Sequence, residues 1–179
     1  MKDILRFIKK EEIYKKFALK KQKVRIILYS QLFFKIKEKM IYTNSDGGAR
    51  GNPGPGAIGV LVRKDGEILT KYSAKIGEYV TNNIAEYEAL IKALELASKH
   101  TDDEVTCILD SELVVRQLLG EYRVLNPRLI PLFLKVQKLQ EKFKKVIYKH
   151  VGREDNFQII VDELLNQELD KYGYKRYRK

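Results

Sequence analysis

The sequence predicts an α/β fold: a five-stranded mixed sheet flanked by helices, preceded by a small helical extension. Three observations predict it. Hydrophobic spacing changes at Met40, from helix-like runs before it to strand-like alternation after it. Two strand-like runs then meet at Lys64-Asp65-Gly66, a good hairpin signal. Beyond them, apolar β-branched runs alternate with amphipathic helical ones, the order that places helices on the faces of a sheet.

Residues 2–39 read as helices. Asp3 caps a short one through Ile8, residues 11–18 form a second, and residues 21–39 a longer third with Val24, Ile27, Leu28 and Phe34 on one face. This suits a helix-turn-helix-like module and equally a helical arm packed on the main domain. Residues 41–46, 57–63 and 67–76 are expected as strands. Residues 84–99 make a helix, with Ile84, Tyr87, Ile91 and Leu94 at helical spacing. Residues 105–109 form a short buried strand, 113–119 a short helix, and 127–143 a longer one with Pro131 in its first turns. Residues 146–150 are the last strand and 158–169 the last helix. The expected organisation is an extension over 1–39, a main domain over 40–170 and a basic tail over 171–179.

The 179 residues, 44% of them hydrophobic, suffice for one medium domain with an appendage. The single cysteine, Cys107, lies in an apolar strand and reads as packing; no internal disulfide is possible. Two histidines and one cysteine cannot build a structural zinc site, so any metal must be a hard cation held by oxygen. The net charge of +11 is uneven. Residues 1–40 hold 13 Lys/Arg against 4 Asp/Glu, residues 41–170 hold 17 against 20, and residues 171–179 hold five and none. Basic ends on a mildly acidic core suggest a polyanionic partner gripped from the periphery; solvated helices account for the N-terminal charge equally well. The longest apolar stretch, residues 26–36, is broken by Ser30, Gln31 and Lys35 and is too short to cross a bilayer. It starts too late for a secretory signal. The expectation is a soluble, cytoplasmic monomer that makes no membrane contact.

Four acids stand out. Asp46 ends an alternating run and meets a segment with five glycines and two prolines, through Gly56. Glu86 lies in Thr81-Asn82-Asn83-Ile84-Ala85-Glu86, Asp110 follows the apolar run of residues 105–109, and Asp162 opens Asp162-Glu163-Leu164-Leu165-Asn166. Each has an ordinary reading: a strand-end turn for Asp46, a capping box with Asn83 for Glu86, a helix cap for Asp110, a solvated helix face for Asp162. Gathered together without enough cations, they call for a metal. Asp110 also stands at the carboxyl end of a strand, where open α/β sheets place their ligands.

The blocks Asp-Gly-Gly-Ala-Arg-Gly-Asn-Pro-Gly-Pro-Gly from Asp46, Thr-Asn-Asn-Ile-Ala-Glu-Tyr-Glu-Ala-Leu from Thr81 and Leu-Asp-Ser-Glu-Leu-Val-Val from Leu109 occur in that order. In combination they resemble ribonuclease H of type 1, over about residues 40–170. The resemblance implies a ribonuclease H-like fold with the first strand central. It implies endonucleolytic hydrolysis of the RNA strand of RNA/DNA hybrids, leaving 3′-hydroxyl and 5′-phosphate ends. Asp46, Glu86, Asp110 and Asp162 would be the catalytic carboxylates, sharing two Mg²⁺ ions about 4 Å apart, with Mn²⁺ as a substitute. The family places its last acid four residues after a loop asparagine; here that position after Asn156 is Ile160. A two-residue insertion restores Asp162, with Glu163 and Asp155 as alternative ligands. His150 resembles a loop histidine that activates water or releases product. Gly47, Gly48, Asn52, Thr81, Asn82, Asn83 and Ser111 would bind substrate, reading 2′-hydroxyls in the minor groove and holding a DNA phosphate. Glu112 stands where some members carry a contacting glutamine. The family's basic handle and its tryptophan-bearing hybrid-binding module have no counterpart here. Residues 1–39 are therefore expected to grip duplex nucleic acid. The rival is a non-catalytic hybrid- or duplex-binding protein on the same fold.

Overall fold

The computed structural model describes residues 20–25 and 40–174. The chain divides into two units, Met1–Lys39 and Met40–Lys179. In the first, residues 20–25 are helical and exposed; the two helices expected before residue 19, and the part of the third beyond residue 25, lie outside the described residues.

In the second unit three strands, β1 (Ile41–Ala49), β2 (Gly54–Lys64) and β3 (Glu67–Val80), lead into helix α1 (Asn82–Ala97). Strand β4 (Glu104–Leu109), helices α2 (Glu112–Leu118) and α3 (Ile130–Gln140), strand β5 (Lys145–His150) and helix α4 (Asn156–Lys171) complete it. The strand order is β3-β2-β1-β4-β5, so β1 is central and the sheet is mixed as expected. The β1–β2 and β2–β3 pairs are antiparallel, and the β1–β4 and β4–β5 pairs parallel. The hairpin turns at Asp65 and Gly66, both with positive φ, which the Asp-Gly pair accommodates.

The main core lies between the sheet and α1, where Tyr87, Leu90, Ile91 and Leu94 pack on Val62, Val105, Cys107 and Leu109. Each large apolar side chain buried there stabilises the fold by about 1.5–3 kcal/mol. Tyr87 is fully buried, and its hydroxyl donates to Gln117 Oε1 at 2.8 Å, so its own polar group is paired. A smaller cluster of Ala57, Leu165 and Leu169 holds α4 to the opposite face.

Several boundaries differ from expectation for local reasons. β1 continues past Asp46 to Ala49 because Gly47 and Gly48 pair with Ile58 and Ala57. The helix expected from residue 127 starts at Ile130, with Pro131 in its first turn. Asn126 takes the preceding residues into a turn, its side chain accepting from Arg128 N at 2.9 Å and its carbonyl from Leu129 N at 2.9 Å. α4 starts two residues early because Asp155 caps it, accepting from the Phe157 and Gln158 amides at 3.0 and 3.1 Å. At its other end α4 runs to Lys171, inside the expected tail. Tyr174 then folds back, its hydroxyl donating to Glu78 Oε2 at 2.7 Å and its carbonyl accepting from Arg50 Nε at 3.1 Å.

Candidate active site

Register brings two of the acids level. Ser45 pairs with Leu109 in the parallel β1–β4 ladder, so Asp46 and Asp110 lie side by side. Two glycines then admit the helices. A Cβ on Gly47 would clash with the Ala85 carbonyl, so only glycine lets the first turns of α1 approach closely enough to bring Glu86 to Asp46. On the other face a Cβ on Gly59 would clash with the Val161 carbonyl, and Gly59 is the residue opposite Asp46. That contact seats α4 with Asp162 facing the same place.

Asp46, Glu86 and Asp110 each present an oxygen within 4.8 Å of the others. They line an open cavity of about 500 Å³ together with Asp162. Asn166 orients Asp162, donating to its Oδ1 at 2.9 Å and to its carbonyl at 2.7 Å. Burial, with the Asp110 and Asp162 charges, pushes Asp46 from its ordinary 3.8 up to about 7. Burial and the Asp46 and Asp110 charges raise Glu86 well above its ordinary value. Burial also raises Asp110, opposed by Arg153. That arginine reaches Asp110 Oδ2 at 3.4 Å but is 92% exposed, so it is a weak counter-charge in solvent.

The cluster fits a divalent cation. Its donors are all carboxylate oxygens, the ligands hard cations take. Glu86 Oε2 is sealed from solvent and has no hydrogen-bond partner among the described residues, although most buried polar atoms find one. For Asp46, Glu86 and Asp110 the ordinary readings fail on geometry. Asp46 lies inside β1 and not in a turn. Thr81, not Asn83, caps α1, accepting from Ile84 N at 3.4 Å. Ser111, not Asp110, holds the cap position of α2.

The other candidates divide. Gly47, Gly48, Asn82, Asn83 and Ser111 line the cavity; Asn52 and Thr81 do not. Asn52 instead braces it: its Oδ1 accepts from Asn82 N at 3.1 Å, and Asn82 Oδ1 accepts from Ala49 N at 3.0 Å. His150 is exposed at the rim, with Nε2 3.2 Å from the Asp110 carbonyl. Neither alternative acid lines the cavity: Asp155 is spent on its cap, and Glu163 points to solvent. Glu112 is also turned away, held by Arg116 at 2.7 Å.

Sequence reasoning missed Arg50, Arg153 and Gln158, all of which line the cavity. Gln158 had a signal: it precedes Asp162 by four residues and so shares its helix face.

Residues 44–159 match the family described as reverse transcriptase-like. Ribonuclease HI of Halobacterium salinarum is 40% identical over 131 residues, 73% of this chain and 64% of that relative. A bifunctional protein of Mycobacterium tuberculosis is 36% identical over 132 residues, and the chain spans only 35% of its length. Among solved structures, LC11-RNase H1 in complex with an RNA/DNA hybrid is 42% identical with a TM-score of 0.68, covering 74% of this chain and 99% of that one. RNase H1 from Halobacterium salinarum is 36% identical with a TM-score of 0.69, covering 74% and 98%. With a family match over most of its length and solved relatives covered almost end to end, the chain belongs to the ribonuclease H family.

Proposed function

We propose that this chain is a metal-dependent endoribonuclease that hydrolyses the RNA strand of RNA/DNA hybrids and leaves 3′-hydroxyl and 5′-phosphate ends. The observation that carries this reading is the convergence of Asp46, Glu86 and Asp110 from three separate elements to within 4.8 Å. It is supported by a 42% identical relative whose structure holds an RNA/DNA hybrid.

Asp46, Glu86 and Asp110, with Asp162 on the cavity wall, would hold two Mg²⁺ ions, with Mn²⁺ as a substitute. When bound, such ions supply positive charge to the phosphodiester, acidify water and stabilise the leaving oxygen. The chain's own residues do the rest. Asn82, Asn83, Ser111 and the Gly47-Gly48 backbone offer hydrogen bonds to 2′-hydroxyls, the groups that tell RNA from DNA in a shallow minor groove. Asn52 and Thr81 fix the loop and helix start that carry them. His150 stands at the rim, free to move a proton or help product leave. Residues 1–39 and the basic tail add electrostatic grip on the duplex. The protein works as a monomer in the cytoplasm.

A hybrid labelled on its RNA strand tests the proposal. Cleavage is expected in Mg²⁺, none in EDTA, and none by Asp110→Asn. Tight hybrid binding by the wild type without cleavage would replace the proposal with the non-catalytic binding reading.

A further inference from the structure

We propose that Gln158 is a positioning residue that holds Asp110 in the orientation a metal ion needs, at the head of a buried polar relay through Asn44 to Arg63. The inference rests on the reading of Asp110 as a metal ligand.

Gln158 is 1% exposed, in the first turn of α4. A buried amide is costly unless its groups are paired. Its Nε2 has two hydrogens and both are used, one on the Ser45 carbonyl at 2.9 Å and one on Asp110 Oδ1 at 3.2 Å. The Ser45 carbonyl can only accept, which fixes the amide orientation. One side chain thus ties the backbone next to Asp46 to the carboxylate of Asp110. It leaves Asp110 Oδ2 turned towards the cavity and Arg153.

The relay runs on behind it. Gln158 Oε1 accepts from Asn44 Nδ2 at 3.5 Å, and Asn44 Oδ1 accepts from Arg63 Nε at 2.9 Å. Asn44 is fully buried. The Arg63 guanidinium is clamped over the Phe157 ring at 4.0 Å and the Tyr42 ring at 4.9 Å. A fixed cation at one end polarises the amides so that their donors face the carboxylate. Mere packing does not need this arrangement; an apolar side chain would fill the space.

The test uses the full chain and three variants: Gln158→Met, which keeps volume and shape, Arg63→Met, which reaches the relay from its half-exposed end, and Asp110→Asn. Mg²⁺ binding is measured calorimetrically without nucleic acid, and kcat and KM on a hybrid are measured at fixed Mg²⁺. A lost hydrogen bond to a charged group corresponds to a weakening of about tenfold or more. Gln158→Met should weaken Mg²⁺ binding by about that factor and lower kcat while leaving the hybrid KM unchanged. Arg63→Met should move both quantities the same way by a smaller factor. Unchanged Mg²⁺ affinity in Gln158→Met, or a rise in KM alone, overturns the proposal. Should Gln158→Met not fold, unchanged Mg²⁺ affinity in Arg63→Met overturns it instead. Failure of the underlying metal-site reading is distinct: the wild type would then bind no Mg²⁺, or Asp110→Asn would bind it equally well.

Discussion

Replacing Asp46 by asparagine removes a charge from the most crowded point of the cluster and should stabilise the metal-free protein at neutral pH. In the fold Asp46 is raised from 3.8 to about 7. A raised folded value means the native state holds the proton more tightly than the unfolded chain. The stability this gives is complete below the ordinary value and is lost as pH rises through about 7. A shift of about three units corresponds to roughly 4 kcal/mol. Asparagine must also be desolvated, and Asp110 and Glu86 keep repelling each other, so about half of this, roughly 2 kcal/mol, should be recovered by Asp46→Asn at pH 8. For a domain of this size that is a rise in Tm of roughly 4–8 °C. Thermal melts in EDTA at pH 8 and pH 3 measure it. The rise should appear at pH 8 and vanish at pH 3, where the Asp46 carboxyl is protonated in the folded and the unfolded chain alike. Added Mg²⁺ should stabilise the wild type and leave Asp46→Asn nearly unmoved. A variant less stable than wild type at both pH values would mean that the Asp46 charge does not destabilise the metal-free fold.

Asp162→Ala should cost far more cleavage activity than Glu163→Ala, because only Asp162 lines the cavity; a dead Glu163→Ala would relocate the fourth ligand. Asp155→Ala should instead lower stability by about 1 kcal/mol through its lost cap, read as a small drop in Tm with activity largely kept. Gly59→Ala would drive a methyl into the Val161 carbonyl; about 1–3 kcal/mol of destabilisation and loss of activity should follow as α4 shifts, both visible in melts and turnover. A chain beginning at Met40 should keep its turnover at saturating hybrid but bind more weakly. Its salt dependence should be shallower by about 0.9 in log-log slope per lost phosphate contact, and an unchanged slope with a lower Tm would make residues 1–39 a packed arm.

The strand and helix succession was legible because its signals are local. Alternation in β1, the Lys64-Asp65-Gly66 turn and the 3.6-residue spacing of α1 each act over a few residues. What failed depended on partners distant in sequence. The glycines after Asp46 read as loop, yet antiparallel pairing with residues 56–58 makes them strand. Glu86 resembled a capping glutamate, but the cap falls on Thr81 because the chain enters α1 from the end of β3, leaving Glu86 to face the sheet across Gly47. The three-dimensional purpose of Gly47 and Gly59 was hidden, since close approach is a property of two elements and not of one. Gln158 was passed over for a related reason: a glutamine on a helix is ordinarily solvent-facing, and only the packing of α4 on β1 and β2 buries it. Asp162 was preferred to Asp155 and Glu163 only through its family-like helix start, because one residue of phase decides which side chain faces the sheet.

The central claim is that this fold cuts RNA, and only RNA, within a hybrid, using charge held by its carboxylates. It is tested most directly by digesting one RNA/DNA hybrid labelled differently on its two strands, with and without Mg²⁺, and analysing the fragment ends. Mg²⁺-dependent internal cuts in the RNA strand ending in 3′-hydroxyl and 5′-phosphate are expected, with an intact DNA strand and no cuts by Asp110→Asn. Cleavage that persists in EDTA or in Asp110→Asn, or a hybrid that is bound and left whole, would contradict it.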